Sequence, residues 1–236
     1  MVRVSIIIPT YNEARYIGRT LRSIMRQGYR DTEVIIADSR STDGTLEVAR
    51  AVSRDVRAVV EDRKGVSRAY NKAAKAAKGD LLLFIDADTS ISAGLLRAYD
   101  RAFRSDDIVA ATGPIRPLER TGWNVALGYK IVSVYLTKLF IAVGRPAITG
   151  SNFMVSRRAF ARVGGFDESL MTYFDWDLSH RLGKAGKIRF IDEAVVYTSA
   201  RRILAWGSLR YFTYHASNAL LYTFRHKARD DYGAVR

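Results

Sequence analysis

The sequence predicts an α/β fold: a mostly parallel sheet flanked by helices on both faces, with a helical C-terminal extension. Two observations lead there. Strand-like and helix-like patterns alternate through the first 113 residues, and repeated strand–helix–strand units need a parallel sheet covered on both sides. Polar and acidic residues follow strand after strand, at Thr10-Tyr11-Asn12, Asp38-Ser39 and Asp86-Ala87-Asp88, and would line one edge of that sheet.

The elements follow in order. Val4 to Ile8 is a β-rich run ending at Pro9, and Asn12 is suited to cap a helix carrying Ile17, Leu21 and Ile24 at helical spacing. Glu33 to Ala37 is a second apolar run, ending in Asp38, and Thr45 to Arg54 reads as a helix. Val56 to Val60 is a third strand, Ser67 to Lys78 an alanine-rich helix, and residues 81–85 a buried strand. Ser92 would cap a helix through Phe103, and Ile108 to Thr112 returns as a strand. Trp123 to Val143 is a long aromatic-flavoured helical stretch. Thr149 to Val155 reads as a strand, and Arg158 to Val163 as a short helix. Asp175 to Lys184 is a further helix, before strands at 188–191 and 194–198. An amphipathic tail runs from Ile203 to about Arg225. The expected organisation is one domain over 1–200, with halves at 1–113 and 114–200, and a helical extension over 201–236.

At 236 residues the chain can bury a full core. It has no cysteine, which excludes disulfides, thiolate metal sites and cysteine nucleophiles. Three histidines, at 180, 215 and 226, make a dedicated zinc site a poor expectation. The net charge is +14, with 29 arginines among 38 basic residues. Such a surface favours polyanions: nucleotide phosphates, nucleic acid or an anionic membrane face. Arginine richness from genome composition or thermal adaptation is the alternative and needs no ligand. No secretory signal is visible and no segment offers about 18 charge-free apolar residues. A cytoplasmic protein is expected, either soluble or peripheral at the inner face of the membrane.

Asp86 and Asp88 close the apolar run Leu81 to Ile85. Open α/β sheets bind ligands at the carboxyl edge, and alternate residues of a strand share a face, so both carboxylates can converge on one metal or polyanion. Hard oxygen ligands suit Mg²⁺ or Mn²⁺. A strand-end Asp with an Asx turn is the plainer reading of the pair taken alone.

Three ordered blocks, residues 5–13 (SIIIPTYNE), 37–45 (ADSRSTDGT) and 80–88 (DLLLFIDAD), resemble glycosyltransferase family 2, whose members are inverting enzymes on the Rossmann-like GT-A fold. The likeness extends through Thr149 to Arg181. It implies a nucleoside-diphosphate sugar donor. Pro9, Tyr11 and Glu13 would lie against the nucleotide, Asp38 would bind the base, and Arg68 would approach the diphosphate. Asp86 would hold the ribose, with Ala87 between it and Asp88, the ligand of a Mg²⁺ or Mn²⁺ ion. Departures are Ser39 where many relatives have a second Asp, and Tyr70 where they often have arginine. Residues 198–202 (TSARR) stand where many place a metal-binding histidine. There Arg201 and Arg202 would grip the diphosphate or form a solvated charge run.

On the acceptor side the resemblance implies a pocket built from Gly150, Ser151, Asn152 and Trp176. Asp175 matches the family's general base, with Asp177 as the fallback and helix capping as the plain alternative. Phe174 replaces the usual Glu. The acceptor would be a glycan or a lipid-linked molecule. The aromatic and basic stretches 123–143 and 203–225 suit a membrane interface, although helix packing or a homodimer contact is the commoner explanation. Two rivals remain. A nucleotidyltransferase would need a glycine-rich basic loop after the first strand, which Pro9 to Glu13 lack. A nucleic-acid binder is suggested by charge alone, and acids along the sheet edge argue against it. A non-catalytic relative that binds nucleotide sugars would fit Phe174 and the missing histidine.

Overall fold

The computed structural model describes residues 3–63, 65–105 and 107–225. Its main sheet contains β1 (Val4–Thr10), β2 (Thr32–Asp38), β3 (Arg57–Val60), β4 (Leu81–Phe84), β6 (Ile108–Thr112), β8 (Phe153–Ser156) and β9 (Lys187–Phe190), in the order β3-β2-β1-β4-β8-β6-β9. Neighbours from β3 to β4 are parallel, as are β6 and β9. β8 runs antiparallel to both β4 and β6, so the sheet is mixed. The antiparallel strand has a functional consequence. The loop entering β8 lies on the same edge as the carboxyl ends of β1, β2 and β4.

Alternation along the strands feeds two cores. Ile6, Ile8, Ile36 and Leu83 pack beneath α1 (Ala14–Met25) and α4 (Leu95–Ala102) through Ile17, Leu21, Leu95 and Tyr99. Ile7, Ile35, Leu82 and Phe84 face α3 (Val66–Ala76), α7 (Arg157–Arg162) and α8 (Phe174–Ala185) through Tyr70, Phe160, Leu178 and Leu182. α2 (Thr45–Val52) covers the first face beside α1. A second sheet, β5-β10-β7, joins β5 (Thr89–Ile91), β10 (Val196–Thr198) and β7 (Ile115–Pro117). It brings residues after 198 onto the Asp88 turn. β5 and β7 have three residues each and are held by pairing with β10, so local pattern did not reveal them.

Several local expectations need correction. Asn12 does not cap α1: it has φ 57°, Glu13 is the N-cap, and Asn12 Oδ1 instead accepts the Thr42 N–H. Gly94 rather than Ser92 precedes α4, in a left-handed conformation that suits glycine. Residues 149–152 form a turn, and β8 begins only at Phe153. The amphipathic tail is two helices, α9 (Arg201–Trp206) and α10 (Ser208–Arg225), broken at Gly207 with φ 78°. Residues 226–236 of the expected extension lie outside the described residues.

α5 (Trp123–Lys130), a π-helical turn over Ile131–Leu136 and α6 (Thr137–Ala142) make one continuous helix. By length and composition it could cross a membrane. It is not a core helix as the packing alternative required, because most of its apolar side chains are exposed.

Candidate active site

β4 ends at Phe84, so the convergence of Asp86 and Asp88 comes from a turn rather than from strand alternation. Two bonds pin that turn. Thr20 of α1 donates its hydroxyl to Ala87 O at 2.6 Å, and the Ser199 N–H donates to Asp88 O at 3.2 Å. Ala87 is therefore buried as the turn's anchor. Thr198 Oγ1 lies 3.3 Å from Asp88 Oδ1 as a donor, and Arg201 Nε lies 3.2 Å from Asp88 Oδ2.

Arg201 is not part of a solvated charge run. Its two terminal nitrogens grip Glu13 at 2.6 and 3.1 Å, and its guanidinium sits 4.6 Å from the Tyr16 ring centroid. Burial opposes its charge, but the Glu13 hydrogen bonds and the attraction of Asp88 and Glu13 outweigh that and raise its proton affinity. Both carboxylate oxygens of Glu13 are thus engaged by Arg201. Arg202 is half-buried, and its charge acts on Asp86.

Asp38 is also turned inward. It is buried, Oδ1 accepts from Thr10 and Ser41 hydroxyls at 2.6 Å each, and Oδ2 accepts the Ser41 N–H at 2.9 Å. Asp38 thus shapes the turn after β2. That turn is tied to the one after β1, since Asn12 N–H donates to Ser41 Oγ and Ala14 N–H to Asp43. Residues 41–44 thus form a turn and lead into α2. Pro9 is half-buried at the end of β1, while Tyr11 stands 51% exposed beside it.

Arg68 lies in the first turn of α3 after Gly65, whose φ of 131° requires glycine. It pairs with Glu168 Oε2 at 3.3 Å, tying α3 to the segment between α7 and α8. Asn71 reinforces the tie, receiving the Phe166 N–H and donating to Phe166 O, both at 2.9 Å. Tyr70 packs against Phe84 and Phe166 beneath the acids.

Asp175 sits in the first turn of α8 and is not its N-cap, which is Tyr173 at φ 61°. Its Oδ2 accepts the Gly150 N–H at 2.8 Å and its Oδ1 the Trp176 N–H at 2.9 Å. Burial nevertheless outweighs these bonds and pushes its pKa up to about 6. The fallback, Asp177, is occupied: Arg181 Nε donates at 2.9 Å and the Tyr222 hydroxyl at 3.1 Å. Trp176 is half-exposed and meets Tyr173 and Phe140 edge-on.

Asn152 corrects the expected acceptor pocket. It is 0% exposed, takes the Tyr99 hydroxyl at 2.7 Å and donates to Ala194 O at 2.8 Å. It brackets β8 to the second sheet and presents nothing to an acceptor. Ser151 is buried beside it, which leaves Gly150 and Trp176 nearest Asp175 among the expected acceptor residues.

The acids form one electrostatic cluster. Asp86 is raised first by burial, then by Asp88, with Arg202 opposing and Asp175 and Glu13 adding to the rise. Asp88 is raised by burial, against the pull of Arg201. Tyr70 is raised by burial and by Asp86, Asp175 and Asp88 together. A separate cavity of about 670 Å³, between α7, α8 and the start of β9, is lined by none of these residues. Sequence reasoning missed the Arg201–Glu13 pair and Thr198, whose partners lie 188 and 110 residues away.

Residues 5–164 match the family described as Glycosyl transferase family 2. Chondroitin synthase of Escherichia coli is 30% identical over 194 residues, 80% of this chain and 28% of that protein, so this chain spans little over a quarter of that relative's length. The fold is that of GT-A glycosyltransferases. Staphylococcus aureus TarS 1–349, solved with UDP-GlcNAc, superposes with a TM-score of 0.69 at 21% identity, covering 84% of this chain and 59% of that one. The mannosyltransferase PcManGT of Pyrobaculum calidifontis, solved with GDP-Man and Mn²⁺, gives 0.67 at 23% identity over 92% and 64%. With that match covering most of the chain, including the turns that carry Glu13, Asp86 and Asp88, the chain belongs to glycosyl transferase family 2.

Proposed function

We propose that this chain transfers a sugar from a nucleoside-diphosphate sugar to an acceptor hydroxyl or phosphate of a glycan or lipid-linked molecule, with inversion. The observation that carries this reading is the shared field of Asp86, Asp88 and Asp175. The carboxylate suited to a leaving diphosphate and the carboxylate suited to a base belong to one cluster. Asp175, oriented by the Gly150 and Trp176 N–H groups and with a pKa near 6, takes the acceptor proton as the acceptor oxygen bonds the anomeric carbon. The bond from that carbon to the diphosphate breaks on the opposite side, and the nucleoside diphosphate leaves with the electron pair. Tyr11 is exposed enough to stack on the base.

Among the described residues no three His, Cys, Asp or Glu side chains could by themselves hold a metal. The donor set fits Mg²⁺ or Mn²⁺ arriving with the diphosphate, since such ions keep waters and use one or two carboxylates. Asp88 would hold it, with Asp86 beside it, and the ion would neutralise charge on the leaving group. Arg201 and Arg202 supply permanent positive charge next to these acids.

The test is a panel of UDP-, GDP- and dTDP-sugars with and without Mn²⁺, read by thermal shift and by nucleoside diphosphate release with acceptor. One donor should stabilise the protein and be turned over. Asp175→Asn should keep donor binding and lose roughly 10²- to 10⁴-fold in transfer. A flat panel, or an unchanged rate in Asp175→Asn, would refute the assignment.

A further inference from the structure

The helix running through α5, the π turn and α6 has its polarity inside out. Toward the domain it buries Val125, Ser133 and Thr137. Ser133 is fixed to β7 by both backbone groups of Ile115: it receives the N–H at 3.2 Å and donates to the carbonyl at 3.0 Å. Toward solvent it turns Trp123, Leu127, Ile131, Tyr135, Leu139 and Val143, every fourth residue, with Trp123 80% exposed. A helix stabilised by packing in a soluble core shows the reverse arrangement.

The π turn contributes to this. In a helix of 3.6 residues per turn a row of every fourth residue drifts around the axis. The wider π turn holds more residues per turn and rotates the row back. Thr137 Oγ1 donates to Val132 O at 3.2 Å within that turn. α9 and the start of α10 extend the surface, because Ala200 and Ile203 pack on Val125 while Leu204 and Leu209 are exposed, the latter by 80%.

We propose that this face docks on an anionic lipid membrane, with the helix lying in the interface plane. Charge decides the occupant. The sequence has no Asp or Glu between Glu119 and Asp167, nor between Glu193 and Asp230. Arg120, Lys130, Arg145 and Arg210 lie in those stretches, Lys130 on the helix itself. A second copy meeting the same face would set these bases against their own equivalents, since Asp192, the acid against α6, is already paired with Lys138 at 2.7 Å. Anionic headgroups supply the counter-charge over the whole surface. Exposed Trp and Tyr suit the interface between headgroups and acyl chains. Ser133's bonds to β7 hold the helix along the domain, so it lies on the bilayer rather than crossing it. Phe140 of α6 meets Trp176, which places the docked face beside the acceptor side of the site. Docking itself does not depend on the catalytic reading and is measured without turnover.

The experiment is flotation of the protein with vesicles of phosphatidylcholine alone and of phosphatidylcholine mixed with phosphatidylglycerol, together with light scattering in solution. Binding to the phosphatidylglycerol vesicles is expected, weakened by salt and much lower on phosphatidylcholine. The double substitution Leu127→Glu, Ile131→Glu should lower it on the order of a hundredfold with an unchanged melting curve. Should that variant fold poorly, Trp123→Ser alone should lower binding and remove the blue shift of tryptophan emission seen with vesicles. Absence of vesicle binding, or binding that both variants retain, would overturn the proposal. A dimer in solution that the same substitutions dissolve, without vesicle binding, would assign the face to a second copy instead.

Discussion

Arg201 holds Asp88 from far along the sequence, with Nε 3.2 Å from Oδ2, while its other nitrogens clamp Glu13. A cation built into the chain thus rests on the carboxylate expected to meet a divalent ion. Two acids and one base, each at most a fifth exposed, leave a net negative charge in that corner. Asp88 therefore retains the capacity to attract a second cation.

Replacing this guanidinium should expose the debt it cancels. Arg201→Ala leaves Glu13 and Asp88 half-buried without their partner, which should cost on the order of 3 kcal/mol of stability. Mn²⁺ should then raise the melting temperature more in Arg201→Ala than in the parent, because the ion takes over neutralisation of Asp88. Arg201→Lys should fall between, keeping the charge but losing the fork that spans both acids. Thermal melts with and without MnCl₂ decide this, and equal Mn²⁺ shifts in all three proteins would contradict it.

What was legible in the sequence follows physical range. β1, β2 and β4 showed themselves because strands buried on both faces are nearly all apolar. That Asp86, Asp88 and Asp175 interact was legible because each follows a strand or opens a helix beside such a run. The roles of Glu13, Asp38 and Asn152 were not, since a polar residue at a sheet edge reads the same whether it faces a ligand or the interior. Asn152 faces inward because Tyr99 and Ala194, 53 and 42 residues away, meet it there. Likewise the apolar character of 123–142 was visible, but periodicity tells which side is apolar and not which side is buried.

Asn152→Ala tests the reassignment of that residue. It would strand the Tyr99 hydroxyl and the Ala194 carbonyl in the interior. Unmade buried hydrogen bonds cost about 1–3 kcal/mol each, so a loss of about 3–5 kcal/mol is expected in urea unfolding. The acceptor KM of the folded protein should not change. A stable variant with a raised acceptor KM would return Asn152 to the binding pocket.

Asp177→Asn should separate a structural acid from a catalytic one. Asp177 anchors Arg181, which also donates to the carbonyls of Val163 and Gly165 and so fixes the loop after α7. Losing its charge should lower stability by about 2 kcal/mol while transfer stays within a few-fold of the parent. Loss of transfer with intact stability would make Asp177 the base.

Asp175 carries the opposite combination. Its pKa of about 6 in the fold exceeds its ordinary 3.8, so folding disfavours its charged form. The resulting penalty is fully present above pH 6, shrinks as the folded protein takes up the proton between about 6 and 4, and is gone below the unfolded value. A shift of that size corresponds to roughly 3 kcal/mol. Asp175→Asn removes the charge but keeps one oxygen for two N–H donors, so a net gain of about 1 kcal/mol at pH 8 is expected. The same carboxylate must be ionised to accept a proton, so kcat/KM of the parent should fall tenfold per pH unit below about 6. A variant that melts higher at pH 8 yet transfers no sugar would show a base held at the expense of stability. Asp175→Asn less stable than the parent at pH 8, or a parent profile flat from pH 7 to 5, would remove Asp175 from that role.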